Sequence, residues 1–209
     1  MYQVKEIFLT LQGEGAHAGR TAVFCRFSGC NLWSGREQDR DSAGCSFCDT
    51  DFIGADGPDG GSFAGAEILT AAILAQWQGS SEHRFVVLTG GEPMLQVDEA
   101  LISTLHHHGF EIAIETNGTF EVPRSIDWIC VSPKAGTELV QRSGDELKLV
   151  YPQADLGPSD VAGFEFRFRY LQPMDGPDLI ANTAGAVAFC RSNPHWRLSL
   201  QTHKLIGIP

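Results

Sequence analysis

No stretch of this 209-residue chain approaches the ~18 consecutive apolar residues of a membrane-spanning helix, so no such span is expected. Residues 1–12 also lack an apolar run ending in a small-residue cleavage site, the pattern of an export signal. Basic residues are scarce: 15 Lys and Arg stand against 26 Asp and Glu, for a formal net charge of −11. A nucleic-acid groove neutralises phosphates with clustered Lys and Arg, so that class of partner is excluded. Internal repeats and low-complexity tracts are absent as well. The expectation is a cytoplasmic protein acting on a small molecule.

Hydrophobic residues make up 43% and charged residues 20%, the balance of a globular chain with a sizeable core. The length suits one domain over residues 1–209. Runs rich in Val, Ile and aromatics mark strands at 4–9, 22–28, 85–89, 112–116, 128–132, 147–151, 166–172 and 198–202. Helical periodicity appears at 68–77, 101–105 and 179–187. Strands alternating with helices predict an α/β fold with a mainly parallel sheet. A full eight-fold (β/α) barrel needs about 250 residues, so a shortened, open (β/α) barrel is expected. Two polar loops, 31–44 and 51–65, read as functional, within an enlarged loop spanning about 29–65.

Cys30, Cys45 and Cys48 follow the strand at 22–28. Three thiolates can hold a [4Fe-4S] cluster and leave its fourth iron open for another ligand. With Cys25 as a fourth ligand, the same residues suit a structural zinc site, and the cysteines alone leave the two readings even. Cys25 alternates with Phe24 and Arg26 and shares a face with Val23 and Phe27, which favours a core thiol. Cys130 and Cys190 also fall in apolar patterns. Thr89, Gly90, Gly91, Glu92 and Pro93 follow the strand at 85–89, at the carboxyl end where parallel sheets place ligands. Paired glycines let backbone groups approach a bound molecule closely. The run His106, His107 and His108 precedes Gly109 at a helix C-terminus, where the dipole favours histidine over any metal role.

A three-cysteine loop followed by a GGEP-type turn resembles the radical S-adenosylmethionine superfamily. The likeness continues at Glu115-Thr116-Asn117-Gly118 and at Ser132-Pro133-Lys134, each at a strand end, and in Phe47 before the third cysteine. Fourteen residues separate the first two cysteines, where most of the superfamily has three, which points to a subgroup with an enlarged cluster loop. The segment Leu11-Gln12-Gly13-Glu14-Gly15, the run Cys48-Asp49-Thr50 and the terminus from His203 to Pro209 are similar to the 7-carboxy-7-deazaguanine synthase family.

The resemblance implies conversion of 6-carboxy-5,6,7,8-tetrahydropterin to 7-carboxy-7-deazaguanine, in the 7-deazapurine and queuosine pathway, by a radical ring contraction with loss of ammonia. It implies a [4Fe-4S] cluster on Cys30, Cys45 and Cys48, S-adenosylmethionine and Mg²⁺, with a flavodoxin-like electron donor and a homodimer. S-adenosylmethionine is then expected at Phe47, Asp49, Gly90, Gly91, Glu92, Asn117, Ser132, Pro133, Lys134 and Gln172. The pterin is expected at Leu11, Gln12, Gly13, Glu14, Arg26, Thr89, His203 and Pro209, with Glu115 and Arg26 catalytic and Thr50 on Mg²⁺. Chemistry alone favours Asp49 and Asp51 over a threonine hydroxyl as Mg²⁺ ligands. Leu205, Ile206 and Ile208 offer apolar surface for docking a tail that carries the Pro209 carboxylate inward. A radical-activating enzyme acting on a protein glycine and a zinc-stabilised binding module are the competing readings.

Overall fold

The computed structural model describes all residues, 1–209. Its frame is one nine-stranded sheet with three covering helices. The strands are β1 (Tyr2–Leu11), β2 (Thr21–Phe27), β3 (Gly61–Phe63), β4 (Phe85–Gly90), β5 (Glu111–Thr116), β6 (Trp128–Val131), β7 (Ser143–Tyr151), β8 (Glu165–Pro173) and β9 (Arg197–Leu198). The helices are α1 (Ala66–Gln76), α2 (Glu99–His107), α3 (Leu179–Ser192) and the short α4 (Thr202–Ile206). Sheet order is β3-β1-β2-β4-β5-β6-β7-β8-β9; β1 is antiparallel to both neighbours and every pair from β2 onward is parallel. The ends do not meet, so the sheet is open, as expected.

Parallel strands covered on both faces read as continuous apolar runs, and Phe85, Val86, Val87 and Leu88 of β4 are all fully buried. The larger core packs β1, β2, β4 and β5 against α1 and α2. A second, of nine residues, joins β6, β7 and β8 to α3. Asp98 caps α2, its carboxylate accepting from the Leu101 N–H at 2.9 Å. α3 stops at Ser192, before Asn193 and Pro194, where the boundary chemistry predicts. No helix is long and apolar enough to cross a membrane.

Two elements differ from the sequence reading. The last strand, expected at 198–202, is only Arg197–Leu198. The Thr202 N–H and hydroxyl both donate to Gly13 O, at 3.0 and 2.8 Å, which draws the chain off β8 and into α4. The loop at 51–65 contains β3, whose Gly61 pairs with Val4 of β1.

Candidate active site

The carboxyl ends of the parallel strands surround a cavity of about 340 Å³, within the range of small-molecule sites. Cys30, Cys45 and Cys48 line it from the loop after β2, beside Phe47, Asp49 and Thr50. Cys25 does not: it is fully buried in the larger core with Val23 and Phe27, so no four-thiolate zinc set forms around it. Burial pushes the Cys25 and Cys30 thiols up. The hydrogen bond that Cys45 and Cys48 share moves their thiols in opposite directions, lowering Cys48 and raising Cys45.

The glycine turn at the end of β4 is shaped first by its own chain. A Cβ on Gly91 would lie 2.8 Å from the Cys30 Cβ and closer still to the Gly29 carbonyl. Gly90, at φ 138°, abuts the Phe27 backbone. The Gly91 N–H donates to Phe27 O at 3.3 Å and the Glu92 N–H to Gly29 O at 2.9 Å, joining the turn to the root of the cysteine loop.

Glu92 stays in this turn and points its side chain inward. Its side chain is fully buried and does not line the cavity; the carboxylate accepts from Met94 N–H (2.9 Å), Thr116 Oγ1 (2.8 Å) and Asn117 N–H (2.8 Å). Burial raises its pKa and these bonds oppose the rise. Glu92 therefore fixes the end of β5, where Asn117 donates through Nδ2 to Asn31 Oδ1 at 2.9 Å. Pro133 is also off the cavity, its carbonyl accepting from Gln153. Its neighbours reach it: Lys134 Nζ donates to Ser132 O and Oγ, both at 2.7 Å, and lies 6.0 Å from the Phe47 ring centre. Burial lowers the Lys134 pKa.

The same cavity is lined by Leu11 at the end of β1, Gln12, Gly13 and Glu14 in the turn after it, Arg26 on β2, Thr89 on β4, Glu115 on β5 and Gln172 on β8. Arg26 projects opposite the core-facing Cys25, and its Nε donates to Glu6 Oε1 at 2.7 Å while both terminal nitrogens carry no bond within the chain. Gln172 Oε1 accepts from the Ser199 hydroxyl at 2.9 Å. Asp49 is held by Lys204 Nζ at 2.6 Å and Asp51 by Lys5 Nζ at 3.0 Å, which occupies the two carboxylates beside Thr50.

The tail reaches the same cavity, where His203 and Pro209 line the wall. Thr10 Oγ1 donates to Pro209 O at 2.8 Å, and His203 packs on Gly13 so closely that a Cβ there would sit 2.8 Å from its Cγ. Lys204 bridges Asp49 and Asp175, each at 2.6 Å. The expected apolar docking is not the mechanism: Leu205 is 72% exposed and Ile206 62%, and polar contacts hold the tail instead. His106 pairs with Asp127 at 2.8 Å, outside the site.

Lys148 of β7 is a wall residue that sequence reasoning missed, bonded to Glu14 and Glu115. Its signal was a lone ammonium between Leu147 and Leu149 in an otherwise apolar run.

No family model matches the chain. The chain is 64% identical over 208 residues to the 7-carboxy-7-deazaguanine synthase of Caulobacter vibrioides, covering 100% of this chain and 99% of that protein. It is 64% identical over 207 residues to the synthase of Bradyrhizobium diazoefficiens, covering 99% of each. Its fold matches the crystal structure of QueE from Escherichia coli with a TM-score of 0.73 at 29% identity, over 95% of this chain and 93% of that one. Full-length identity at this level, carried by a chain whose three cavity thiols meet a glycine turn at the sheet's carboxyl edge, places it in the 7-carboxy-7-deazaguanine synthase family of radical S-adenosylmethionine enzymes.

Proposed function

We propose that the chain converts 6-carboxy-5,6,7,8-tetrahydropterin to 7-carboxy-7-deazaguanine with loss of ammonia. The observation that carries this reading is that a single cavity is lined both by three thiols and by the polar groups of Gln12, Glu14, Arg26 and Glu115. The donor set fits its groups. Cys30, Cys45 and Cys48 would hold a [4Fe-4S] cluster, and no fourth thiol lines the cavity, which suits a cluster with one open iron. When bound, the reduced cluster and S-adenosylmethionine would supply the radical chemistry of the ring contraction.

The chain's own residues bind, orient and shield. Arg26, anchored through Nε, keeps its two terminal nitrogens for a bidentate clamp on the substrate carboxylate. Gln12, Glu14 and Glu115 accept from the guanidine-like N–H edge, joined by His203 and the Pro209 carboxylate. Phe47, Asp49, Gly90, Gly91, Asn117, Ser132, Lys134 and Gln172 form the S-adenosylmethionine side. Thr50, in the cavity wall beside two carboxylates that pair with lysines, would offer Mg²⁺ a hydroxyl oxygen, with substrate and water oxygens supplying the rest. A flavodoxin-like donor, a homodimer and a cytoplasmic setting complete the reading. Incubating the anaerobically reconstituted protein with reductant, S-adenosylmethionine, Mg²⁺ and carboxytetrahydropterin yields a deazapurine chromophore. A protein with intact cluster that cleaves S-adenosylmethionine and forms no deazapurine overturns it.

A further inference from the structure

Lys148 is buried in the cavity wall with its side chain 4% exposed. A lone buried ammonium is strongly unfavourable, and here it is doubly paired: Nζ lies 2.5 Å from Glu14 Oε2 and 2.7 Å from Glu115 Oε2. The two carboxylates come from separate elements, the turn after β1 and the end of β5. Gln12 joins them a second time. Its Nε2 donates to Glu115 Oε1 at 2.9 Å and its Oε1 accepts from the Glu14 N–H at 3.1 Å. Lys148, Glu115, Gln12 and Glu14 thus close a ring. An ionised carboxylate only accepts, so this ring fixes which way the Gln12 amide faces.

Two carboxylates against one ammonium leave the ring with a surplus negative charge facing the cavity. Burial works against the charge on Glu14, and the ammonium of Lys148 outweighs it, so the carboxyl is held below its usual range. The pKa of Lys148 is driven well above its ordinary value: burial opposes the charge and the flanking carboxylates outweigh it. Without the ammonium, two neighbouring buried carboxylates repel, and one taking up a proton would turn an acceptor into a donor.

We propose that Lys148 is a positioning and specificity residue: it holds Glu14, Glu115 and, through Glu115, the Gln12 amide as an anionic acceptor face that selects the 2-amino, N–H-bearing edge of the pterin. This rests on the function proposed above. Its distinctive consequence is selectivity. A pterin carries a donor at position 2, and the corresponding lumazine carries a carbonyl acceptor there.

The experiment measures equilibrium binding of 6-carboxypterin and 6-carboxylumazine, both unreactive, to cluster-loaded protein. The parent binds the pterin in preference to the lumazine. Lys148→Met loses about tenfold or more in pterin affinity, keeps its iron and loses the preference, while Lys148→Arg recovers most of both. A merely structural role would weaken both ligands alike, so a Lys148→Met protein with the parent's preference overturns the proposal. If Lys148→Met does not fold, Glu14→Gln is compared with Glu14→Gln/Lys148→Met, which removes one charge of each sign. An equal preference in those two proteins overturns it as well. A parent that fails to bind 6-carboxypterin counts against the function itself, and a parent that binds while Lys148→Met discriminates unchanged counts against Lys148 alone.

Discussion

Cys25 and Arg26 are adjacent on β2 and meet opposite fates, one sealed in the core and the other facing the cavity, because successive strand side chains alternate. That alternation predicts the behaviour of the cysteines. Replacing Cys30, Cys45 or Cys48 by Ala abolishes bound iron, whereas Cys25→Ala keeps the parent's iron content and lowers stability by about 1 kcal/mol, as loss of a small buried group does. Iron analysis of anaerobically purified variants decides it; loss of iron from Cys25→Ala would restore Cys25 as a ligand. Residues whose type carries chemistry in a recognisable order were legible in the sequence, the three thiols and the glycine turn above all. The direction of the Glu92 side chain was not legible, because a motif gives a residue's position and not its direction: its carboxylate turns from the cavity to tie down β5. Lys148 went unread because its partners, Glu14 and Glu115, lie 134 and 33 residues away, a juxtaposition made only by folding.

Among the elements, interior strands such as β4 and β5 were legible because their apolar runs reflect burial on both faces. The terminus was less so, since its conformation is set by contacts with the turn after β1 rather than by local pattern. α4 has five residues, far too few to stand alone as a helix, so its partners hold it: Thr202 on Gly13, Lys204 on Asp49 and Asp175, and Thr10 on Pro209. Lys204 also links the tail to the residue after Cys48, so the tail's position and the cysteine loop's are tied together. In the proposed function the Pro209 carboxylate meets the pterin, so deleting Pro209, or extending the chain beyond it, takes that acceptor away from the cavity-lining position. The expected outcome is a KM for carboxytetrahydropterin raised about tenfold or more, with iron content unchanged. Steady-state kinetics of a C-terminally extended protein test this, and unchanged kinetics would place the carboxylate in solvent.

The whole molecule carries a formal net charge of −11 and must bind two ligands of opposite charge. S-adenosylmethionine is a net cation, its sulfonium and ammonium outweighing one carboxylate; carboxytetrahydropterin is an anion. The long-range field therefore attracts the first and repels the second, and in the proposed function short-range groups such as the cavity-lining Arg26 hold the anion once it arrives. These two contributions respond differently to salt. Raising ionic strength from about 0.01 M to about 0.15 M shortens the Debye length from about 30 Å to about 8 Å, which screens the global field and leaves a partly buried contact much less affected. Arg26 and Glu6 are both largely shielded from solvent, so the clamp belongs to the second group. Affinity for S-adenosylmethionine is accordingly expected to fall with added KCl at fixed Mg²⁺, while affinity for 6-carboxypterin stays level or rises. Titrating both ligands into the cluster-loaded protein across that range reads the two slopes directly. A parallel fall in both would mean that a local basic funnel, and not the acidic surface, governs the approach of the anion, and the separation of global repulsion from local capture would have to be abandoned.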